Sequence, residues 1–248
     1  MDWDRTRPLI IAHRGDRGAF PENTLAAFGG AERAGAPMIE LDVTLSRDRH
    51  LVVIHDETLD RTTNGHGPVS DQSLAALRRL DAGGWFDPRF AGERIPTLDE
   101  VFAAVSPAIR VNVEIKPDAV ETPPPADAVE QQVIACVRAH NAADRVLISS
   151  FHWDCLTRIA GEGVSLGILC DGPVTPAAID LARRIGAISV HPDQAHLTPS
   201  AIDAIHDAGF RVIPYTVNDP ARIRELLAAG IDGLFTDTPG AALAAAGR

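Results

Sequence analysis

Seven reactive side chains lie at or near the ends of strand-like segments in the first half of the sequence. They are His13, Arg14, Glu40, Asp42, His55, Glu114 and Lys116. Residues two apart on a strand share one face, so Glu40 points the same way as Asp42, and Glu114 the same way as Lys116. Three carboxylates, two imidazoles and two cations together suit metal-assisted chemistry on a phosphoryl group.

The three carboxylates need a counter-charge if they share one pocket. Glu40, Asp42 and Glu114 would come from two adjacent strands and point inward. Without a cation they would repel one another, and at least one would stay protonated. An all-oxygen ligand set favours Mg²⁺, with Ca²⁺ as the alternative, over zinc. We therefore predict that one divalent metal ion binds there.

The two histidines and the two cations would flank that metal ion. His13 and His55 suit a general acid and a general base, because imidazole titrates near neutral pH. Arg14 and Lys116 add the positive charge that a phosphoryl group needs as its oxygens gain charge. Each residue alone has an ordinary structural explanation, such as a solvated strand end. Their coincidence argues for a site, because burying so many charges without a function would be costly.

Strand-length apolar runs alternate with helical patterns along the chain. The predicted strands are Pro8–Ala12, Met38–Val43, Leu51–Ile54, Arg110–Ile115, Arg145–Ser150, Ser165–Cys170, Ala187–His191, Phe210–Val217 and Ile231–Thr236. The predicted helices are Glu22–Ala34, Leu98–Val105, Asp127–His140, Trp153–Ile159, Pro176–Ile185, Pro199–Ala208, Pro220–Ala229 and Pro239–Ala246. Most of the strand runs are continuously apolar, as expected for strands that are buried on both faces.

Eight of the nine predicted strands are followed by a helix. Leu51–Ile54 follows the second strand too closely for a parallel crossover, so it should pair antiparallel as a hairpin. The other eight predict an α/β fold, a (β/α)8 TIM barrel with its active site at the carboxyl ends of the strands. Residues 56–96 are polar and Gly-rich, with one short helical piece at Ser73–Leu80. We expect a single barrel domain over residues 1–248, with 56–96 as a small insertion after the second strand.

Composition and charge narrow the classes of partner. A hydrophobic content of 45% in 248 residues predicts one full core, and a net charge of -11 predicts neither nucleic-acid nor anionic-lipid binding. No apolar stretch approaches the roughly 20 residues that cross a bilayer. The amino terminus lacks the features of a secretory signal, so the expected location is the cytoplasm. The three cysteines are expected to be buried, reduced thiols.

Other polar residues near strand ends are candidates for lesser roles. Tyr215 ends the seventh barrel strand and is expected to pack against the substrate. Asp237 precedes Thr238-Pro239, where it would cap the last helix. Substrate contact is also considered for three histidines, His152, His191 and His196, and exposure is expected for His50 and His66.

The motifs resemble those of the glycerophosphodiester phosphodiesterase family, in particular its short, cytosolic bacterial members. The matching segments are AHRG, PENTLAAF, MIELDV, LVVIHDETLDRTTNGHGPVSD, IPTLDEV, VNVEIK, PYTVN and DGLFTDTP. They run in order from residue 12 to residue 239, and the linked set is highly specific. Tyr215 is a departure, since many relatives place Trp before Thr-Val-Asn, and this leaves the glycerol-facing wall open.

The resemblance implies a (β/α)8 barrel and metal-dependent hydrolysis of glycerophosphodiesters, such as glycerophosphocholine or glycerophosphoethanolamine, to sn-glycerol 3-phosphate and an alcohol. It implies a metal site at Glu40, Asp42 and Glu114, acid/base catalysis by His13 and His55, and phosphate binding by Arg14 and Lys116. The nucleophile, either water or a neighbouring hydroxyl of the substrate, stays open. The acid and base assignments, the alcohol group, the choice between Mg²⁺ and Ca²⁺ and the oligomeric state are open as well.

Three other functions are compatible with parts of the pattern. A phospholipase on the same barrel would need an apolar rim, for which residues 56–96 offer only Trp85, Phe86 and Phe90 as large aromatic candidates. A non-catalytic binding module predicts the loss of a histidine or a metal carboxylate, and none is lost. A metal-dependent sugar isomerase or aldolase is allowed by the fold alone.

Overall fold

The computed structural model describes residues 8–248 and contains one mainly parallel sheet. Its strands are β1 (Leu9–Ala12), β2 (Met38–Leu45), β3 (Leu51–Val53), β4 (Arg110–Ile115), β5 (Val146–Ser150), β6 (Ser165–Cys170), β7 (Ser189–Pro192), β8 (Arg211–Val212) and β9 (Gly233–Thr236). Eight of them are parallel neighbours in the order β8-β7-β6-β5-β4-β2-β1-β9. β3 instead pairs antiparallel with β2, which confirms the predicted hairpin.

The sheet curves into a nearly closed barrel, which confirms the predicted (β/α)8 fold. The strand predicted for Phe210–Val217 is regular only at Arg211–Val212, because Pro214 has no amide hydrogen to donate. The extended chain beyond it still bonds to both neighbours. Ile213 N donates to the carbonyl of Val190 on β7, and Val217 N donates to that of Phe235 on β9. Irregular backbone therefore completes the seam between the last two strands.

Helices connect the strands around the outside of the barrel. They are α1 (Leu25–Arg33), α2 (Leu74–Leu77), α3 (Leu98–Ala104), α4 (Val129–Ala139), α5 (Trp153–Arg158), α6 (Pro176–Ile185), α7 (Pro199–Asp207), α8 (Pro220–Ala228) and α9 (Pro239–Ala245). Most of the predicted ends are displaced by only one to three residues. Four helices that start with proline at their first turn, α6 to α9, follow the sequence rule. Within residues 8–248, no helix is both long and apolar enough to cross a bilayer.

Alternate residues of the barrel strands pack into two different layers. Inside the barrel, Leu9, Ile11, Met38, Leu147, Ile213 and Phe235 form a small apolar cluster. The intervening side chains, such as Ile10, Ile39 and Leu41, join a much larger cluster that packs against the helices. This arrangement explains the continuous apolar runs, since both faces of each strand are buried. It also turns Glu40 and Asp42 inward, because they alternate with Leu41.

Residues 56–96 lie between β3 and α3 and contain α2 and two short 3-10 turns. Their apolar side chains pack with the hairpin strand in a third cluster that includes Val52, Ile54, Leu59, Leu77 and Ile95. The predicted helical piece is shorter than expected, at four residues. The division of the chain into one domain with a small insertion stays a prediction. All three cysteines are buried and free, as expected.

Gly15 holds the loop after β1 against the first helix, and its backbone requires glycine. Its φ is +80°, and a Cβ there would lie 2.6 Å from the carbonyl carbon of Ala27. We predict that Gly15→Ala lowers the free energy of unfolding by about 3 kcal/mol or more, since left-handed strain and overpacking act together. Gly163→Ala is the matched control, because φ is +83° there and nothing lies within 4 Å of a Cβ. It should cost about 1 kcal/mol, and equal losses in denaturant unfolding of the two variants would contradict the packing argument.

Candidate active site

A cavity of about 250 Å³ opens at the carboxyl end of the barrel. It is lined by His13, Arg14, Glu40, His55, Asn112, Glu114, Ser149, Phe151, Leu169, Tyr215, Thr216 and Phe235. Six of the eight residues that the sequence predicts for the site therefore line one cavity. Asp42 and Lys116 complete the set. They do not line the cavity, and both are at least nine-tenths buried.

The three carboxylates converge as predicted. In the pairing of β2 with β4, Glu40 lies opposite Asn112, and Asp42 lies opposite Glu114. One oxygen of each of Glu40, Asp42 and Glu114 lies within 4.8 Å of the other two, and all three residues are buried. The inward register of two parallel strands is therefore sufficient to assemble an oxygen cluster.

Two oxygens of this cluster, Glu40 Oε1 and Asp42 Oδ1, accept no hydrogen bond from any residue in the range 8–248. Both of these oxygens are buried. Their partner oxygens are engaged, since Arg14 N donates to Glu40 Oε2 at 2.7 Å and Asn23 Nδ2 donates to Asp42 Oδ2 at 2.8 Å. Buried polar atoms are rarely left unpaired in folded proteins. A divalent cation fits this donor set, because hard cations prefer carboxylate oxygens and would satisfy both free atoms.

Burial and mutual repulsion also shift the pKa values of the three carboxyl groups in the cluster. Burial, followed by the charges of Asp42 and Glu114, raises the pKa of Glu40 well above its usual range. Burial and the charge of Asp42 raise the pKa of Glu114 to about 7. For Asp42 burial acts in the same direction, but the neighbouring charges of Arg14 and Lys116 outweigh it and lower the pKa. Without a metal ion, one carboxylate thus keeps its charge at the expense of the others.

His13 is held by an aspartate from the opposite end of the chain. Its Nδ1 lies 2.7 Å from Asp237 Oδ1. Asp237 follows directly after β9, and β9 is the parallel neighbour of β1. Asn218 in turn donates from Nδ2 to Asp237 Oδ2 at 2.8 Å. The predicted role of Asp237 as a helix cap is wrong, because Thr238 is the N-cap residue of α9 and no side chain caps that helix. Barrel closure brings Asp237 to His13, and chain order alone does not indicate this contact.

His55 is held in the same way by its immediate neighbour. Its Nδ1 lies 2.7 Å from Asp56 Oδ1, and Arg61 donates to both oxygens of Asp56. Arg61 also donates to both carboxylate oxygens of Glu22, in the loop after β1. The residues that follow the hairpin are thereby tied to the first loop of the barrel, and both histidines keep Nε2 as the free ring nitrogen.

Both histidines favour the neutral form more than a free imidazole does. Burial is the largest influence on His13 and lowers its pKa, while the hydrogen bond to Asp237 opposes this shift. Burial likewise lowers the pKa of His55, and the charge of Asp42 opposes it. A neutral imidazole whose Nδ1 donates to a carboxylate presents a lone pair at Nε2, as a general base requires.

The two cations that the sequence predicts for phosphate binding are engaged by acids in this structure. Arg14 donates from one terminal nitrogen to Glu22 Oε1 at 2.9 Å, and its Nε lies 3.3 Å from Asp42 Oδ2. Lys116 Nζ donates to Glu114 Oε1 at 3.1 Å and lies 3.5 Å from Asp42 Oδ1. Both cations therefore compensate the carboxylate cluster, and Arg14 also lines the cavity.

Sequence reasoning missed four residues that hold the site together: Glu22, Asn23, Asp56 and Asn218. Arg14, Arg17 and Arg61 surround Glu22, and they lower its pKa to about 2 although burial opposes this. Asn23 has a left-handed backbone with φ of 58° and bonds Asp42 through both its side-chain oxygen and nitrogen. Asn and Asp tolerate that conformation better than most residues, so the Pro-Glu-Asn sequence was the available signal.

The remaining candidates divide between the cavity wall and the scaffold. Tyr215 lines the cavity, packs edge-on against Phe151 and donates its hydroxyl to the carbonyl of Cys170. His191 is fully buried inside the barrel beside Ser189 and Phe235, so it is a core residue. Three more histidines, His50, His66 and His196, are exposed, and His152 is half-buried.

The family model for the glycerophosphoryl diester phosphodiesterase family matches residues 13–241. A glycerophosphodiester phosphodiesterase of Caldanaerobacter subterraneus subsp. tengcongensis is 42% identical over 237 residues, which cover 94% of this chain and 95% of the relative. The solved structure of a phosphodiesterase from Oleispira antarctica, in complex with the product sn-glycerol-3-phosphate, is 31% identical. It superposes with a TM-score of 0.88 over 98% of both chains.

A glycerophosphodiester phosphodiesterase from Agrobacterium tumefaciens is 33% identical and has a TM-score of 0.82, over 96% of this chain and 99% of that chain. The similarity therefore extends over the whole barrel, including every strand that contributes to the cavity. It confirms the resemblance seen in the motifs and the expected enzyme class, and it disfavours a sugar isomerase or a binding module. The chain belongs to the glycerophosphoryl diester phosphodiesterase family.

Proposed function

We propose that this enzyme hydrolyses glycerophosphodiesters, such as glycerophosphocholine or glycerophosphoethanolamine, to sn-glycerol 3-phosphate and an alcohol. One observation carries the proposal. Three buried carboxylates, two of which line the cavity, cluster beside two histidines that are each anchored through Nδ1 by an aspartate. The sn-glycerol-3-phosphate bound to the Oleispira relative supports the same product for this chain. Release of glycerol 3-phosphate, followed with a coupled dehydrogenase, is the direct assay.

Glu40, Asp42 and Glu114 would hold one divalent cation, with Mg²⁺ expected and Ca²⁺ as the alternative. When bound, that ion supplies positive charge for the phosphate oxygens and so stabilises the transition state. Without a cation, the negative charge of these carboxylates would repel the phosphate of the substrate. With the cation bound, substrate orients with its phosphate toward the cluster and its organic groups toward the aromatic wall.

His13 and His55 divide the proton transfers between them. The neutral imidazole accepts a proton at Nε2 from the attacking oxygen, and the protonated one donates from Nε2 to the oxygen of the departing alcohol. Asp237 and Asp56 keep each ring in the orientation that these transfers need. The attacking oxygen is either water or the neighbouring glycerol hydroxyl. Oxygen-18 incorporation and trapping of a cyclic phosphate would separate these two routes.

Arg14 and Lys116 would stabilise the charge that grows on the phosphate, and Tyr215 would pack against the glycerol carbons. The carboxylates that hold both cations in place also keep their charges close to the cavity. The cytoplasmic location, the absence of nucleic-acid partners and of stable membrane insertion stay predictions from the sequence. Comparing turnover of glycerophosphocholine with that of lysophosphatidylcholine tests the phospholipase alternative.

Replacing either histidine by alanine removes one proton transfer. We predict that His13→Ala and His55→Ala each reduce kcat by on the order of 10²-fold or more. His66→Ala is the matched control, because His66 is exposed and bonds only to Asp60 within the described residues. Near-normal turnover of glycerophosphocholine in both cavity variants, with circular dichroism showing intact folding, would refute the assignment.

Removing the metal or one of its ligands should abolish activity. We predict that chelation eliminates turnover, that added Mg²⁺ or Ca²⁺ restores it, and that the ion raises the Tm of the wild-type protein. Glu114→Gln should lose both the rescue and the Tm shift, because the amide supplies no negative charge. Glu57→Gln, at an exposed position, should behave like the wild type. Full activity after exhaustive chelation would contradict a metal-dependent mechanism.

The pH profile can identify the role of His13. Asp237 raises the pKa of His13 through a hydrogen bond and its charge, against the larger, opposing effect of burial. Asp237→Asn should therefore lower that pKa further, and the limb of the kcat/KM profile that reports His13 should move to lower pH. A shift of the acidic limb makes His13 the base, and a shift of the alkaline limb makes it the acid. If neither limb moves and kcat is unchanged, His13 has no role in proton transfer.

A further inference from the structure

A second group of possible metal ligands lies outside the barrel, on the surface formed by α3 and α4. It consists of Asp99 from the first turn of α3, Cys136 from α4, and His140 at the carboxyl end of α4. One ligand atom of each lies within 4.8 Å of the other two. Cys136 and His140 are four residues apart, so they share one face of the helix. None of these residues takes part in the active site described above.

The separations of the three ligand atoms are close to the edges of a tetrahedral zinc site. Cys136 Sγ lies 3.5 Å from Asp99 Oδ1, and His140 Nε2 lies 3.0 Å from the same oxygen. With zinc bonds of about 2.3 Å to sulfur and about 2.1 Å to nitrogen and oxygen, tetrahedral ligand atoms are separated by about 3.4 to 3.6 Å. The Cys136–Asp99 separation is therefore that of the tetrahedral geometry, and the His140–Asp99 separation would have to widen by about 0.4 Å to bind one ion.

The chemistry of this group differs from that of the active site. Thiolate, imidazole and carboxylate together favour zinc, whereas the three buried carboxylates favour Mg²⁺ or Ca²⁺. A neutral imidazole and the thiol each have a hydrogen directed at Asp99 Oδ1. Binding of zinc would release the thiol proton to solvent and move the imidazole proton to Nδ1. The charges of the thiolate and the carboxylate then balance the ion.

The surroundings leave one side of the group open. Cys136 is 8% exposed, while the side chains of His140 and Asp99 are 26% and 73% exposed. The ring of Phe102 packs against His140 with centroids 5.3 Å apart, which limits rotation of the imidazole. A fourth position toward solvent is available to water, as in zinc sites with three protein ligands.

We propose that Asp99, Cys136 and His140 bind one zinc ion that joins α3 to α4. The ion acts as a structural clamp between the two helices that precede and follow β4 in the chain, the strand that carries Glu114. It is separate from the active-site cation, so its loss should leave hydrolysis of glycerophosphodiesters intact in the presence of Mg²⁺.

Cobalt titration distinguishes this site from the active site, because only a thiolate ligand produces a strong near-ultraviolet charge-transfer band. The reduced, full-length protein is stripped of metal, supplied with excess Mg²⁺ and titrated with Co²⁺. We expect one equivalent to produce the band, and Zn²⁺ to displace Co²⁺ and eliminate it. Cys136→Ser should abolish the band, and Cys170→Ser, which alters another buried thiol, should retain it.

Asp99→Asn and His140→Ala test whether the three residues act together. Each should weaken Co²⁺ binding by at least about 10-fold, the lower limit seen when even an outer-shell partner of a metal ligand is removed. Zn²⁺ should raise the Tm of wild-type protein more than that of these variants. The proposal is wrong if the wild type gives no band, if the band survives in Cys136→Ser, or if affinity is unchanged in His140→Ala.

Discussion

Electrostatic repulsion among three buried carboxylates is the constraint on which the site depends. Glu40, Asp42 and Glu114 share one small volume, and the protein supplies Arg14 and Lys116 as partial counter-charges. Among the described residues, two carboxylate oxygens still accept no hydrogen bond, and two of the carboxyl groups keep raised pKa values. A divalent cation therefore compensates a cost that the fold itself creates, which couples metal binding to the stability of the barrel mouth.

The barrel can maintain this arrangement because its strands are rigid and in register. Asp42 and Glu114 are direct partners in the parallel pairing of β2 with β4, so their separation follows from backbone hydrogen bonds. The apolar residues that alternate with these carboxylates along β2 and β4 pack against the helices in the larger core cluster. Sliding one strand by a single residue would expose the carboxylates to the helix layer, and the outer core resists that change. The precision of the site thus derives from packing outside the barrel.

The orientation of His13 depends on a longer-range feature, namely the closure of the barrel between β9 and β1. Asp237 reaches His13 only because β9 lies beside β1, and Asn218 then fixes Asp237 from the neighbouring loop. On the other side, Arg61 links the aspartate that holds His55 to Glu22 beside the first loop. His13 is therefore oriented by a residue that is distant in the chain, whereas His55 is oriented by its neighbour Asp56, which Arg61 holds in turn. Separation of β9 from β1 would therefore release His13 from Asp237.

Local chemistry in the sequence was sufficient to predict the eight-unit barrel, the hairpin and the proximity of the seven reactive residues. Periodicity and spacing report which face a strand residue occupies, so the inward direction of Glu40 and Asp42 was predictable. The irregular form of the strand after Phe210 was not predictable, because hydrogen bonds to both neighbouring strands hold this segment extended despite Pro214. The position of Asp237 next to a helix start indicates a helix N-cap, and only the tertiary structure shows that this residue binds His13 instead. Contacts between distant residues depend on how the strands close, and closure is a property of all eight units together.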